Sequence, residues 1–272
     1  MTSPPITLEA EETGARSSII ADLVLVVRQL RYEQLNFWRN RFAAVMTIGF
    51  SVIFMVFLGA SDKHPAAIGG VAGIQYYASG FAAYGLMSAC YNTLAIQLVN
   101  RRETGLLKRL RLAPIPTWSL LGAFFANAAV VSALQVAVLL VIARFAYALQ
   151  LPHQWLALAA AFVVGVACFT ALGVAVSTIV PSQDAAGPVI SLTFFVLLFL
   201  SGLYFPLTPG SVLARISNFF PIHHLIVAFF APFDTRPGAS PWAWHDLLVV
   251  AIWGVVSTAV ALRHFAWEPH RR

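Results

Sequence analysis

Charge is what this sequence has least of. Only 10% of its 272 residues are Asp, Glu, Lys or Arg, whereas a water-soluble domain carries about 25% to keep its surface hydrated. Cysteine is nearly absent too: Cys90 and Cys168 are the only two, which excludes a disulfide framework and leaves no metal-ligand spacing. No Gly-x-x-x-x-Gly-Lys-Ser/Thr phosphate loop occurs, so the chain is not expected to bind ATP. Clustered acids, histidines or Ser/His pairs, which an enzyme embedded at a membrane face needs, are missing, and no catalytic residue is assigned. Ionisable residues at mid-membrane depth, on which proton or sodium coupling depends, are almost lacking, which argues against a stand-alone secondary transporter. Alternation with a period of two, the mark of barrel strands, does not occur. Residues 1–14 are polar and acidic, so no cleavable signal peptide is expected there.

What is present is hydrophobic length. Apolar residues make up 59% of the chain and mean hydropathy is +0.78. Runs of about 18 or more apolar residues recur, each long enough for a hydrocarbon core of about 30 Å. Backbone groups in lipid must pair within their own segment, so these runs are read as helices. The expected architecture is an all-α integral membrane protein with six spans, at about 42–60, 76–99, 118–143, 155–180, 188–205 and 244–262. Residues 1–16 read as a disordered tail and 17–40 as an amphipathic helix, opened by Ser17 and Ser18. Its Ile20, Leu23, Val24, Val27 and Leu30 recur at three and four residues, a pattern suited to lying on a membrane surface. The membrane domain then covers 41–263, and 264–272 form a second tail. Residues 181–187 read as a tight turn, and the proline-rich link 206–243 as short helices dipping back into the membrane.

The net charge of +6 is distributed as an orientation signal rather than a nucleic-acid footprint. With the N-terminus inside, thirteen Lys and Arg fall on the cytoplasmic side, among them Arg28, Arg31, Arg101, Arg102, Lys108, Arg109 and Arg111. Four, namely Lys63, Arg144, Arg215 and Arg236, fall outside. Both termini are therefore expected in the cytoplasm. Arg outnumbers Lys 15 to 2, a bias expected of a GC-rich bacterial genome and hence of a bacterial plasma membrane.

The most informative stretch runs from Arg101 to Pro116. At 100° per residue Leu106, Leu107, Leu110 and Ala113 share one face, and Arg101, Lys108 and Arg111 take the other. Pro114 and Pro116 end the helix. Glu103 falls on the apolar face, where a carboxylate needs a partner. Arg28 and Arg31 on the preceding amphipathic helix are the candidates, and such a pair would clamp the two cytoplasmic helices together. A plain basic loop obeying the positive-inside rule is the alternative.

A second feature is an aromatic face. Tyr77, Phe81, Tyr84 and Tyr91, with Ser88 among them, follow one side of the second span, and the fifth offers Phe195 and Phe199 beside Phe194. Such stripes either pack helices or line a path for amphipathic substrates. The adjacent His223 and His224 point about 100° apart on a helix and have no third ligand near in sequence, so no metal is assigned. Arg144 and Asp246 lie near span ends, within reach of the interface. Cys90 and Cys168 read as core packing.

The pattern Arg-Glu-x-Gly-x-Leu-x-Arg-Leu-x-x-x-Pro after the second span resembles the permease subunits of type-2 ABC exporters, the class that includes daunorubicin-resistance permeases. Ser201-Gly202-Leu203-Tyr204-Phe205-Pro206, followed by Leu213, Ile216 and Phe220-Pro221, is similar to that family's segment after the fifth span. Each motif alone is weakly specific; their order and spacing carry the likeness over almost the whole chain. The resemblance implies a coupling helix at about 101–113, including Arg102, Glu103, Gly105, Leu106, Lys108, Arg109, Leu110 and Arg111, seated on a separate ATPase subunit. Two such subunits would hold the ATP and Mg, and a second permease copy or a paralogue would complete the membrane part. It also implies that the second and fifth spans border a substrate path at the dimer interface, and that this chain itself binds no cofactor. The cargo implied is an amphipathic drug, antibiotic or lipid-like molecule, with polysaccharide or lipid-linked envelope precursors as the alternative.

Overall fold

A computed structural model of the chain describes residues 9–61, 73–106, 117–204, 210–234, 236 and 238–264. Among these residues every regular element is helical. Helix α1, Glu9–Arg39, meets α2, Arg41–Ser61, at Asn40, and the two are bent by 69° to one another. Helix α3, Gly73–Met87, passes without interruption into a π-helical turn, Ser88–Thr93, and on into α4, Leu94–Glu103. Then come α5, Thr117–Tyr147, α6, Trp155–Ile179, and α7, Gln183–Phe199. Two short helices, α8, Val212–Ser217, and α9, Pro221–Phe230, lead to a 3₁₀ turn, Ala231–Phe233. The last helix is α10, Trp244–His264.

Length and hydropathy qualify α5, α6 and α10 as membrane-crossing helices, and the bent α1–α2 pair as a fourth. The first three coincide with the third, fourth and sixth expected spans; of the bent pair, α2 alone covers the first, 42–60, while α1 holds the stretch expected to lie on the membrane surface. The stretch expected as the second span, 76–99, lies within the α3–α4 rod, 31 residues from Gly73 to Glu103, about 46 Å at 1.5 Å per residue. The fifth, α7, has 17 residues. It starts inside the stretch read as the 181–187 turn, because Ser182 caps it by accepting from the Ala185 N–H at 3.3 Å and Asp184 complements the dipole of its first turn. Likewise α1 starts at Glu9, within the stretch read as a tail.

Small residues set the packing. The α3–α4 rod is the most enclosed element: Ala78, Phe81, Ala83, Leu86, Met87, Cys90, Tyr91 and Ala95 are all shut off from the surface. Where its π turn pushes backbone carbonyls sideways, α6 offers Gly173, whose missing Cβ would lie 3.0 Å from the Cys90 carbonyl oxygen and 3.1 Å from that of Tyr91. Gly254 brings α10 against α6 in the same way, 3.2 Å from Cys168 Cα. Close backbone approach at small residues is how helices associate when lipid removes the hydrophobic drive. Inside, Gln135 of α5 donates to Ser51 Oγ at 2.6 Å and to the Thr47 carbonyl at 2.9 Å on α2. Both cysteines are free and buried, as their reading as core packing requires.

Candidate functional site

The charged residues of the described part of the chain meet chiefly at two places, one at each end of the bundle. The first is where α4 ends. Arg101 and Arg102 are neighbours on the last turn of α4 and so point about 100° apart. Arg101 reaches α1, where its guanidinium donates to both oxygens of Glu33, at 2.8 and 2.5 Å. This two-pronged bond is nearly out of water, with 14% of the arginine side chain and 7% of the glutamate exposed. The guanidinium also lies over the Phe124 ring of α5, 4.4 Å from its centroid. Beside it Gln34 donates to Asn127 Oδ1 at 2.9 Å, a second polar tie between α1 and α5.

Arg102 turns the other way and is buried. It donates to the carbonyls of Ser177, at 3.0 Å, and Val180, at 2.5 Å, the orphan acceptors at the end of α6 where a cation also meets the negative end of the helix dipole. Its Nε donates to Glu103 Oε1 at 2.9 Å. Two consecutive arginines thus staple the end of α4 to α1 on one side and to α6 on the other.

This arrangement alters the expected clamp. Glu103 bonds to its neighbour Arg102, and Arg28 and Arg31 are exposed; the carboxylate that joins α1 to α4 is Glu33. The reason is helix phase. Placing Glu103 on an apolar face assumed one helix over 101–113, but α4 stops at Glu103. Gly105, with φ +71°, takes the left-handed conformation that ends a helix, its N–H bonding the Arg102 carbonyl at 3.0 Å. Arg101, Arg102 and Glu103 therefore belong to the α3–α4 rod, and Leu106 emerges 40% exposed just beyond it. Lys108, Arg109, Leu110 and Arg111 lie outside the described residues, as do Leu107, Ala113 and both prolines. In the sequence Glu33 is an acid three residues after Leu30 of the apolar stripe, and nothing there marks Arg101 as its partner.

The aromatic face is divided. Phe81, Tyr84, Ser88 and Tyr91 are buried and Tyr77 is half-buried. Tyr84 stacks on Phe50 of α2 at 5.7 Å and meets Phe194 of α7 edge-on at 5.6 Å. Phe81 packs edge-on against Tyr204 at 6.1 Å, and the Tyr91 hydroxyl is hydrogen-bonded to that of Thr193. These rings cement α2, α3 and α7 together. Phe195 and Phe199, on the far side of α7, are 50% and 57% exposed, continuing an apolar surface with Leu192 and Val196.

The opposite end holds the second cluster. The Ser201-Gly202-Leu203 turn is pinned by Tyr76, which donates to the Gly202 carbonyl at 2.8 Å, and Leu203 enters the space that Gly80 leaves by having no side chain. His223 faces the same turn, with Nδ1 3.3 Å from the Ser201 carbonyl. His224, by contrast, faces α10: Nδ1 is 2.7 Å from Asp246 Oδ1 and Nε2 is 2.8 Å from the Asn218 carbonyl. Asp246 is thus paired inside the protein rather than reaching out to the interface. Ligand atoms of His224, His245 and Asp246 lie within 4.8 Å of one another, a proximity the sequence spacing concealed. Both ring nitrogens of His224 face oxygens, an arrangement that the protonated ring satisfies in full. The Asp246 carboxylate raises the histidine's pKa above its usual range, whereas burial lowers that of His223.

Compared with known families, residues 60–263 match the family model described as ABC-2 family transporter protein. Comparison with curated proteins gives no match.

Proposed function

The chain belongs to the ABC-2 family of transporter proteins and is a multi-pass membrane permease component, and from that premise we propose the following mode of action. The chain crosses a bacterial plasma membrane six times, with the α3–α4 rod and α7 as the second and fifth spans and both termini in the cytoplasm. It dimerises and exports an amphipathic molecule with energy from two copies of a separate ABC ATPase. The thirteen-to-four charge count supports that orientation.

The observation that carries the coupling part is the pair of staples at the end of α4. A push on the basic segment that begins at Leu106 would meet a rod end tied to α1 through Arg101 and Glu33 and to α6 through Arg102. Motion there is delivered to three helices together instead of being absorbed by a loose loop. The exposed α7 face of Leu192, Phe195, Val196 and Phe199 is where the second permease copy and the substrate path would meet. The buried rings of Phe81, Tyr84 and Tyr91 would act behind that face as its rigid wall.

The test begins with the full chain as bait. A protein with a phosphate loop should co-purify, and vesicles holding the two together should move an amphipathic dye only when ATP is hydrolysed. Dye movement that persists without ATP, or that follows an imposed proton gradient, would refute the proposal.

A further inference from the structure

Helices α5 and α6 follow one another through a short loop, yet they touch little along their length. Between them lies a groove of about 490 Å³, within the roughly 300–1,000 Å³ typical of ligand sites. Its floor is opened by the small side chains of Ala133, Ala137 and Ala159, and its back wall is Phe229 of α9. The lining is apolar throughout except at one end, where Arg144 stands at the mouth beside Trp155.

Three observations define what fits there. The groove runs from Ala133 to Arg144, 11 residue steps along α5, or about 16 Å at 1.5 Å per residue. That is close to half of a hydrocarbon core of about 30 Å, one leaflet deep. Trp155, 56% exposed, and the stacked Trp242 and Trp244 assign its mouth to headgroup level, since tryptophan gathers at that interface. Arg144 is exposed and no acceptor engages it among the described residues. The two described carboxylates of this end, Asp234 and Asp246, are already paired with Arg236 and His224.

The groove is also held open. The His153 N–H of the connecting loop donates to the Pro232 carbonyl at 3.0 Å, fixing the mouth to the 3₁₀ turn, and Leu149 anchors the loop in the core.

We propose that this groove binds one acyl chain of an anionic phospholipid, with the lipid phosphate seated on Arg144. A trough one leaflet long, apolar along its length and cationic only at headgroup depth, is complementary in length, polarity and charge to such a lipid. A second copy of the chain would instead bring an arginine onto a face that has no free carboxylate among its described residues to receive it. The inference requires only that the chain is embedded in a bilayer, so its failure would leave the transport reading standing.

The experiment uses the full chain in phosphatidylcholine vesicles with a minor share of phosphatidylglycerol, either lipid carrying a photoreactive group on its acyl chain. Labelled phosphatidylglycerol should crosslink to the α5–α6 groove about tenfold more than labelled phosphatidylcholine, the scale of one charge-assisted contact. Arg144→Gln should abolish that headgroup preference and Arg144→Lys should retain it. Ala137→Phe, filling the floor, should abolish groove labelling by both lipids while labelling of α10 is unchanged. Equal labelling by both lipids in the parent chain would overturn the proposal, reducing the groove to ordinary boundary lipid. Efficient Val141→Cys self-crosslinking between copies would overturn it as well, by making the face a protein interface.

Discussion

Removing Arg101 should be costly in a way that removing its partner as well repairs. The Glu33 carboxylate is 7% exposed and takes two bonds from Arg101 and one from Gln29 Nε2, the last at 3.1 Å. Arg101→Met keeps the packing on Phe124 but strands that carboxylate with a single neutral donor. Breaking a buried ion pair from one side costs about 3–5 kcal/mol. With Gln29 still bonded and part of Arg101 reaching solvent, the lower end applies, about 3 kcal/mol, or about a hundredfold in the folded-to-unfolded ratio. Glu33→Gln in the same chain removes the stranded charge, so the double variant should recover about 2 of those 3 kcal/mol, a coupling within the range known for contacting residues. Denaturant unfolding of the purified chain in mild detergent measures all three variants. Export per ATP hydrolysed, measured on the same variants with the ATPase present, should fall for the single and the double variant alike, because neither keeps the tie between α1 and α4. Equal stability of Arg101→Met and the double variant would refute the ion-pair argument. Parental export per ATP in both would refute its part in coupling.

Two further outcomes follow from the packing and the outer cluster. Gly173→Ala pushes a methyl to within 3.0–3.1 Å of the π-turn carbonyl oxygens of Cys90 and Tyr91, rigid neighbours that cannot swing aside, and should cost about 1–3 kcal/mol. Gly187→Ala, whose added Cβ meets nothing, should be neutral or gain about 0.5–1 kcal/mol from helix propensity. The same unfolding assay compares them, and equal costs would contradict the described π-turn contact. The His224–Asp246 pair predicts a pH dependence of the α9–α10 contact, with His223, His245 and the Asn218 carbonyl as the other groups around the ring. Because folding raises the His224 pKa, its stabilisation is complete below the unfolded value of about 6.5 and is lost as pH rises through the folded value. Hydrogen exchange in Pro221–Phe230, corrected for the intrinsic pH dependence of exchange, should therefore show protection falling on the alkaline side, and Asp246→Asn should flatten that change. An unchanged pH profile in Asp246→Asn would remove the pair as its cause.

The class of molecule was readable from residue order alone. Hydropathy is a local property summed along a run, so the helices at Thr117–Tyr147, Trp155–Ile179 and Trp244–His264 could be placed without knowing what each one touches. The motif pattern around Arg102, Glu103 and Gly105 likewise pointed to the family that the match over 60–263 establishes. Which polar groups find each other is set by how the helices pack. Glu33 and Arg101 lie 68 positions apart, His224 and Asp246 lie 22 apart, and their meeting depends on the rotational phase and tilt of separate helices. The periodicity of one helix cannot encode its orientation against another. A π turn at Ser88–Thr93 shifts that phase further and a left-handed Gly105 ends the helix, so the partner role expected of Glu103 on an unbroken helix is taken by Glu33. The aromatic stripe divided for the same reason. A period of three and four states that the rings of the α3–α4 rod share a side, and only the positions of α2 and α7 determine that this side is the interior.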